Sequence, residues 1–118
     1  MGVKRQRGEL ERQVLEVLWD HGGWLTPSEV GGRLDPELAY TTVVTVLRRL
    51  YAKDLVDRQQ DGRAHAYRPV QTRDEHAAAA MSELLAATRD PATALNYFVD
   101  QLDEDNRRQL VRLLRRRR

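Results

Sequence analysis

The chain contains no cysteine. That excludes disulfides, thiolate metal sites, iron–sulfur clusters and a cysteine nucleophile, and it fits a reducing compartment. Aromatic residues are scarce, at 6% with a single phenylalanine, so any core must be mainly aliphatic. A chain of 118 residues with 32% charged side chains leaves burial within one copy little margin, which favours an oligomer. No apolar run approaches the length that spans a bilayer, and the opening MGVKRQRGEL lacks the apolar core of a signal peptide. The expected location is the cytoplasm, without membrane insertion. The Met-Gly start does not make an acylation signal, because Gln6 stands where N-myristoylation needs serine or threonine. Charge of one sign is not in excess either, since 20 Lys and Arg against 18 Asp and Glu leave a net charge of +2. Bulk electrostatics therefore points to no polyanion, although the distribution of charge does better.

Catalytic chemistry is equally thin. His21, His65 and His76 fall on different elements without metal-ligand spacing. His76 reads as a solvated residue in the first turn of a helix. The acid pairs Asp74-Glu75 and Asp103-Glu104 coincide with expected helix starts, where capping and the helix dipole account for them. There is no glycine-rich phosphate loop and no G-x-S-x-G elbow. Gly22-Gly23 and Gly31-Gly32 fit turn and tight-packing roles. No enzyme activity, cofactor or metal is expected, and there are no internal repeats or low-complexity linkers.

What is present is concentrated between Ala39 and Pro69. On a helix, Val43, Val46, Leu47 and Leu50 fall at i, i+3, i+4 and i+7 and form one apolar face. Thr41, Thr42, Thr45, Arg48 and Arg49 occupy the other. Short hydroxyls allow close approach, and guanidinium forks suit phosphate or guanine. The β-branched residues from Thr41 to Val46 favour a strand by local propensity, but strand alternation gives no clean apolar face, whereas the helix separates polar from apolar. Between Thr41 and Lys53 stand three cations (Arg48, Arg49, Lys53) and no acid. Leu55-Val56-Asp57-Arg58, a turn at Asp61-Gly62, and His65-Ala66-Tyr67-Arg68-Pro69 then read as a hairpin. His65 is placed either to touch a phosphate or to pack beside Tyr67. Helix plus hairpin is the plan of a winged helix-turn-helix, which lays the helix in the major groove and the wing along the backbone. A core helix with a merely solvated polar face is the plainer alternative.

Around this centre the chain reads as mainly α with a small β-wing. A first helix over 9–20 carries Leu10, Val14, Val17 and Leu18, with Trp19 as a packing anchor, and Gly22-Gly23 stops it. Trp24-Leu25 suggests a short strand pairing with the wing. Thr26-Pro27-Ser28-Glu29 opens a second helix with an N-cap, a first-turn proline and a capping box, and Val30 and Leu34 face inward. Thr72-Arg73-Asp74-Glu75 is a second capping box, opening a helix to about Ala87 with Ala77, Met81, Leu84 and Leu85 on its apolar side. Asp90-Pro91 starts a further helix striped by Leu95, Phe98, Val99 and Leu102. Asp103-Glu104-Asp105 starts the last, striped by Leu110, Leu113 and Leu114. Its arginine end, Arg115 to Arg118, suits the dipole and is read either as a solubilising end or as a tail that reaches phosphate. The expected division is a winged-helix DNA-binding domain over 1–70 and an all-helical dimerisation domain over 71–118. Three short amphipathic helices with few aromatics make a thin core, so they pair most economically with the same helices of a second copy. Folding back on the winged helix of the same chain is the alternative.

The run Leu38-Ala39-Tyr40-Thr41-Thr42-Val43-Val44-Thr45-Val46-Leu47-Arg48-Arg49-Leu50, with Lys53-Asp54-Leu55-Val56 and Asp61-Gly62-Arg63-Ala64-His65-Ala66-Tyr67-Arg68-Pro69, resembles the penicillinase-repressor (BlaI/MecI/CopY) family. So does the opening from Leu10-Glu11 to Val17-Leu18-Trp19. The resemblance covers nearly the whole chain. It implies a homodimeric winged-helix repressor on an inverted-repeat operator of double-stranded DNA, with entwined C-terminal helices. It implies that Tyr40, Thr41, Thr42, Thr45 and Arg49 are the DNA-facing residues of the helix, with Arg63 as the wing contact. It also implies relief of repression through a membrane sensor metallopeptidase. Copper-responsive members carry a C-terminal cysteine cluster, which this chain lacks. In β-lactam-responsive members cleavage falls at an Asn-Phe bond. Here Asn96 and Phe98 are separated by Tyr97, and Phe98 reads as dimer core. A winged helix that binds protein rather than DNA is the competing function. The polar helix face argues against it, because partner-binding faces are richer in apolar anchors.

Overall fold

The computed structural model describes residues 8–117. The stretch read for signal and acylation motifs up to Arg7, and Arg118 of the arginine run, lie outside the described residues. The order is α1 (Glu9–His21), α2 (Pro27–Arg33), α3 (Tyr40–Ala52), β1 (Val56–Asp61), β2 (Ala64–Pro69), α4 (Arg73–Ala87), α5 (Pro91–Gln101) and α6 (Glu104–Arg116). Two compact units divide it, one up to His76 and one from Ala77. The division falls inside α4, later than the 70/71 boundary expected from the sequence. Side chains at the start of α4 explain the shift. Arg73 makes ion pairs with Glu16 at 2.6 Å and Asp20 at 2.8 Å on α1, and the His76 ring lies 5.3 Å from that of Trp19. His76 is thus half-buried against an aromatic rather than solvated. Hydrogen bonds from Arg73 to Glu16 and then Asp20 push its pKa further up.

The first unit has a continuous core. Val14, Leu15 and Leu18 of α1, Val30 of α2, Val43, Val46, Leu47 and Leu50 of α3, and Leu25, Val56 and Tyr67 are all buried. The α3 stripe is the one that periodicity predicts. On α1 the stripe is turned slightly: Leu15 is buried, while Leu10 and Val17 only pack at the margin. Gly22, at φ 78°, ends α1 and donates its N–H to the Leu18 carbonyl at 3.1 Å, a left-handed cap that glycine adopts without strain. At Thr26 the capping box is complete, with the hydroxyl accepting from Glu29 N–H and the Glu29 carboxylate accepting from Thr26 N–H. The tight-packing role expected for Gly31-Gly32 is not required. A β-carbon at Gly31 would meet Val43 Cγ2 at an ordinary 3.6 Å, and one at Gly32 would meet nothing within 4 Å.

The wing pairs antiparallel from Val56↔Pro69 to Asp61↔Ala64. Its loop is Gly62-Arg63, one residue later than the expected Asp61-Gly62, because Asp61 closes the ladder. Gly62 has φ 63°, the positive value that two-residue hairpins require at this position. Trp24-Leu25 contributes a single bridge. Leu25 N–H donates to Tyr67 O at 2.9 Å, and Tyr67 N–H donates back at 2.7 Å.

The second unit contrasts with the first. Its helices start where the caps stand: Thr72 with Glu75 at α4, Asp90 accepting from Thr93 N–H at α5, and Asp103 accepting from Asn106 N–H at α6. Yet α4, α5 and α6 contain no buried residue. Met81, Leu84, Leu95, Phe98, Leu113 and Leu114 are exposed, Leu84 by 75%. Leu85, Val99, Leu102 and Leu110 are half-buried.

Candidate nucleic-acid interface

The polar face of α3 stands as a surface because its opposite face is anchored. With Val43, Val46, Leu47 and Leu50 in the core, helical geometry turns Thr41, Thr42, Thr45, Arg48 and Arg49 outward together, and all five are exposed. Tyr40 opens the helix and is 53% exposed. Arg48 and Arg49 have no ion pair with any described residue, so their guanidinium donors are free for an anionic ligand. Lys53, the third cation of the segment, is different. Its Nζ lies 2.8 Å from Glu11 and ties the end of α3 to α1.

Thr45 carries a constraint that spacing alone does not reveal. Its hydroxyl donates to the Thr41 carbonyl one turn back at 2.8 Å. The proton is therefore used within the helix, and the oxygen faces a ligand as an acceptor. Phosphate oxygens need donors, so in this rotamer Thr45 suits a donor on a base edge or a methyl contact rather than phosphate. Thr42 makes no such bond.

The wing presents a second group. Arg63 sits in the hairpin loop, exposed and without an ion pair to any described residue. His65 is half-buried with its ring edge-on to Tyr67 at 6.4 Å, which is the packing alternative of its two sequence readings. Two further arginines escape sequence reasoning. Arg58 lies over the Tyr51 ring, with its guanidinium carbon 3.9 Å from the centroid. Arg68 lies 4.5 Å from the Trp24 ring centroid and 3.6 Å from the Asp57 carboxylate. Both are cation–π contacts made across chain reversals, so no local spacing announces them. Among the described residues there is no group of His, Asp or Glu that could hold a metal, and no helix is long and apolar enough to cross a membrane.

In the second unit, Met81, Leu84 and Leu85 of α4 and Leu95 and Phe98 of α5 line an open groove of about 540 Å³. Leu110, Leu113 and Leu114 lie apart from it on α6. Val111, 43% exposed beside them, is an apolar position that the predicted stripe omitted.

A polar helix face set in a helix-turn-helix frame, followed by a basic-tipped hairpin, is the plan of the winged-helix class. Comparison with known proteins narrows the class. The family model described as penicillinase repressor matches residues 7–116. The chain is 42% identical over 112 residues to the transcriptional regulator BlaI of two Mycobacterium tuberculosis strains, CDC 1551 / Oshkosh and ATCC 25618 / H37Rv, covering 91% of this chain and 81% of the relative. Among solved structures it resembles a mutant of MepR from S. aureus, with TM-score 0.50 and 20% identity over 92% of this chain and 75% of that one. That last likeness bears on the fold alone. The chain belongs to the penicillinase repressor family and is a winged-helix transcriptional repressor.

Proposed function

We propose that the protein acts as a homodimer on an inverted-repeat operator. Each α3 enters a major groove, each wing follows the backbone, and the α4–α6 helices of two copies cover one another. The observation that carries the DNA reading is the outward face of α3, where Thr41, Thr42, Thr45, Arg48 and Arg49 stand exposed above a buried stripe and both arginines lack a protein partner. Arg63 at the hairpin loop extends the same chemistry to the wing. Arg48, Arg49 and Arg63 serve phosphate or guanine; Tyr40, Thr41, Thr42 and Thr45 serve close contact at base edges. His65 acts indirectly, by packing on Tyr67.

The dimer reading rests on the apolar residues left uncovered on α4–α6. Met81, Leu84, Leu85, Leu95 and Phe98 form one groove, while Val99, Leu102, Leu110, Leu113 and Leu114 extend the apolar surface over α5 and α6. A second copy covers such a surface symmetrically, and linking two half-site readers raises operator affinity through effective concentration. Relief of repression through a membrane-bound sensor metallopeptidase fits the family. Asn96 and Phe98 lie within the regular helix α5, and the Asn96 side chain donates to the Ala92 carbonyl at 3.1 Å. Proteases favour exposed, flexible backbone, so cleavage there requires α5 to unwind first. Phe98 is better placed as part of the covered groove.

A fluorescence-anisotropy titration tests the reading. It compares the DNA upstream of the protein's own gene with a scrambled duplex, at two salt concentrations. The expected result is tight, salt-sensitive binding to the upstream fragment, at two chains per duplex. Absence of binding to either duplex at low salt would overturn it.

A further inference from the structure

Resting on the DNA-binding reading above, we infer that Arg58 is a phosphate contact at the junction of α3 and the wing, and that Tyr51 is the positioning residue that holds it there. Tyr51 lies in the last turn of α3 and is 39% exposed. It follows Arg48 by three residues, so the two are neighbours on the helix surface, at the border of the polar face. Arg58 is the third residue of β1, opposite Tyr67 in the ladder. The strand brings its guanidinium back over the Tyr51 ring, 3.9 Å from the centroid.

The stacking geometry matters for what the guanidinium can still do. A ring engages the flat face of the ion, while the N–H donors point outward in its plane. Arg58 has no ion pair with any described residue, so that edge is unused, and the group is exposed. Elsewhere in this unit charged side chains near an aromatic are engaged by carboxylates: Arg73 by Glu16 and Asp20, and Arg68 by Asp57. Arg58 alone of these three keeps its full donor edge. A flexible arginine must lose rotamer freedom to grip a phosphate. One already docked on an aromatic has lost much of it before DNA arrives, which is preorganisation in the ordinary sense. Arg48 on the helix, Arg58 at the junction and Arg63 at the loop thus form a series leading from the recognition helix onto the wing.

The test uses the full-length protein and the upstream fragment that wild type binds. Arg58→Ala is expected to weaken binding and lower the slope of log affinity against log salt by about one unit, as loss of one phosphate contact does. Tyr51→Ala is expected to cost about two- to fivefold in affinity, the range of an exposed cation–π contact, and Tyr51→Phe, which keeps the ring, to bind like wild type. The double variant Tyr51→Ala/Arg58→Ala should bind no worse than Arg58→Ala alone. An unchanged salt slope in Arg58→Ala, or penalties that simply add in the double variant, would overturn the inference while leaving wild-type binding intact. Failure of wild type itself to bind would instead strike the DNA-binding reading. Both side chains are exposed, and thermal melts of each variant matching wild type establish that the fold is preserved; Arg58→Gln supplies the same loss of charge with a longer side chain.

Discussion

The two units of this chain solve the burial problem in opposite ways. Up to His76, three short helices and a hairpin close around Leu18, Leu25, Leu47, Leu50 and Tyr67, each at most 2% exposed. From Ala77 onward, three helices with good caps and apolar stripes bury no side chain. Local signals therefore suffice to make helices in both units, but only the first closes a fully buried core among the described residues. Short isolated helices are marginal in water, and the second unit leaves its apolar stripes uncovered, which is what the proposed dimer would cover. On the proposed reading, DNA contact and assembly fall in different units.

The sharpest way to break that contrast is to damage each side in turn. Leu47→Ala, at a fully buried site, should cost about 2–5 kcal/mol, read as a lowered urea midpoint, and should abolish DNA binding with the fold. Phe98→Asp should leave the first unit folded yet shift the protein toward monomer in sedimentation, with operator affinity falling about 100-fold or more as avidity is lost. A Phe98→Asp protein that stays dimeric would remove the groove from the interface. Arg49→Ala should weaken binding at all sequences and lower the salt slope by about one unit, leaving both stability and dimerisation unchanged. Loss confined to one base position would make Arg49 a base reader instead.

Acid provides a gentler comparison. Hydrogen bonds to Thr72 hold the Glu75 carboxyl below its usual pKa, those to Thr93 do the same for Asp90, and those to Thr26 for Glu29. A lowered folded-state pKa contributes stability in full above the ordinary carboxylate range near about 4, lost as pH falls through the lowered values. Because α4 and α5 lack burial to compensate, helical ellipticity should decline on acidification while the first unit's near-UV signal persists. Coincident loss of both signals would contradict the separation. The smallest effect expected is a gain. Gly32→Ala, exposed and with open space at its β-position, should stabilise the first unit by about 0.4–1 kcal/mol, measured as a higher midpoint.

Much of this was legible in the sequence wherever the determining residues are neighbours. The capping pairs Thr26/Glu29 and Thr72/Glu75, the Asp90-Pro91 start and the stripe from Val43 to Leu50 are all local signals, and the structure has each in place. The dense β-branched run from Thr41 became a helix because amphipathic packing outweighed intrinsic propensity. What escaped was non-local. Arg73 meets Glu16 and Asp20 more than fifty residues away in sequence, so the first turn of α4 joins the first unit, beyond the 70/71 boundary expected from the order of elements. Arg58 finds Tyr51 only after the chain reverses through Asp54, itself at φ 61°. The engagement of the Thr45 hydroxyl escaped too, because back-bonding to a helix carbonyl leaves no trace in residue spacing.

The chain's two tryptophans, Trp19 and Trp24, both lie in the first unit, and α4–α6 contain none. Trp19 donates its indole N–H to the Gln71 carbonyl at 2.9 Å, just ahead of the segment that leads into α4. Indole emission is therefore a private optical channel for the winged-helix part, while the remaining helices are silent in it. Emission from Trp19 is expected to shift when that segment detaches from α1, even with the rest of the core intact. The protein thus carries an intrinsic dye beside the segment that leads into α4.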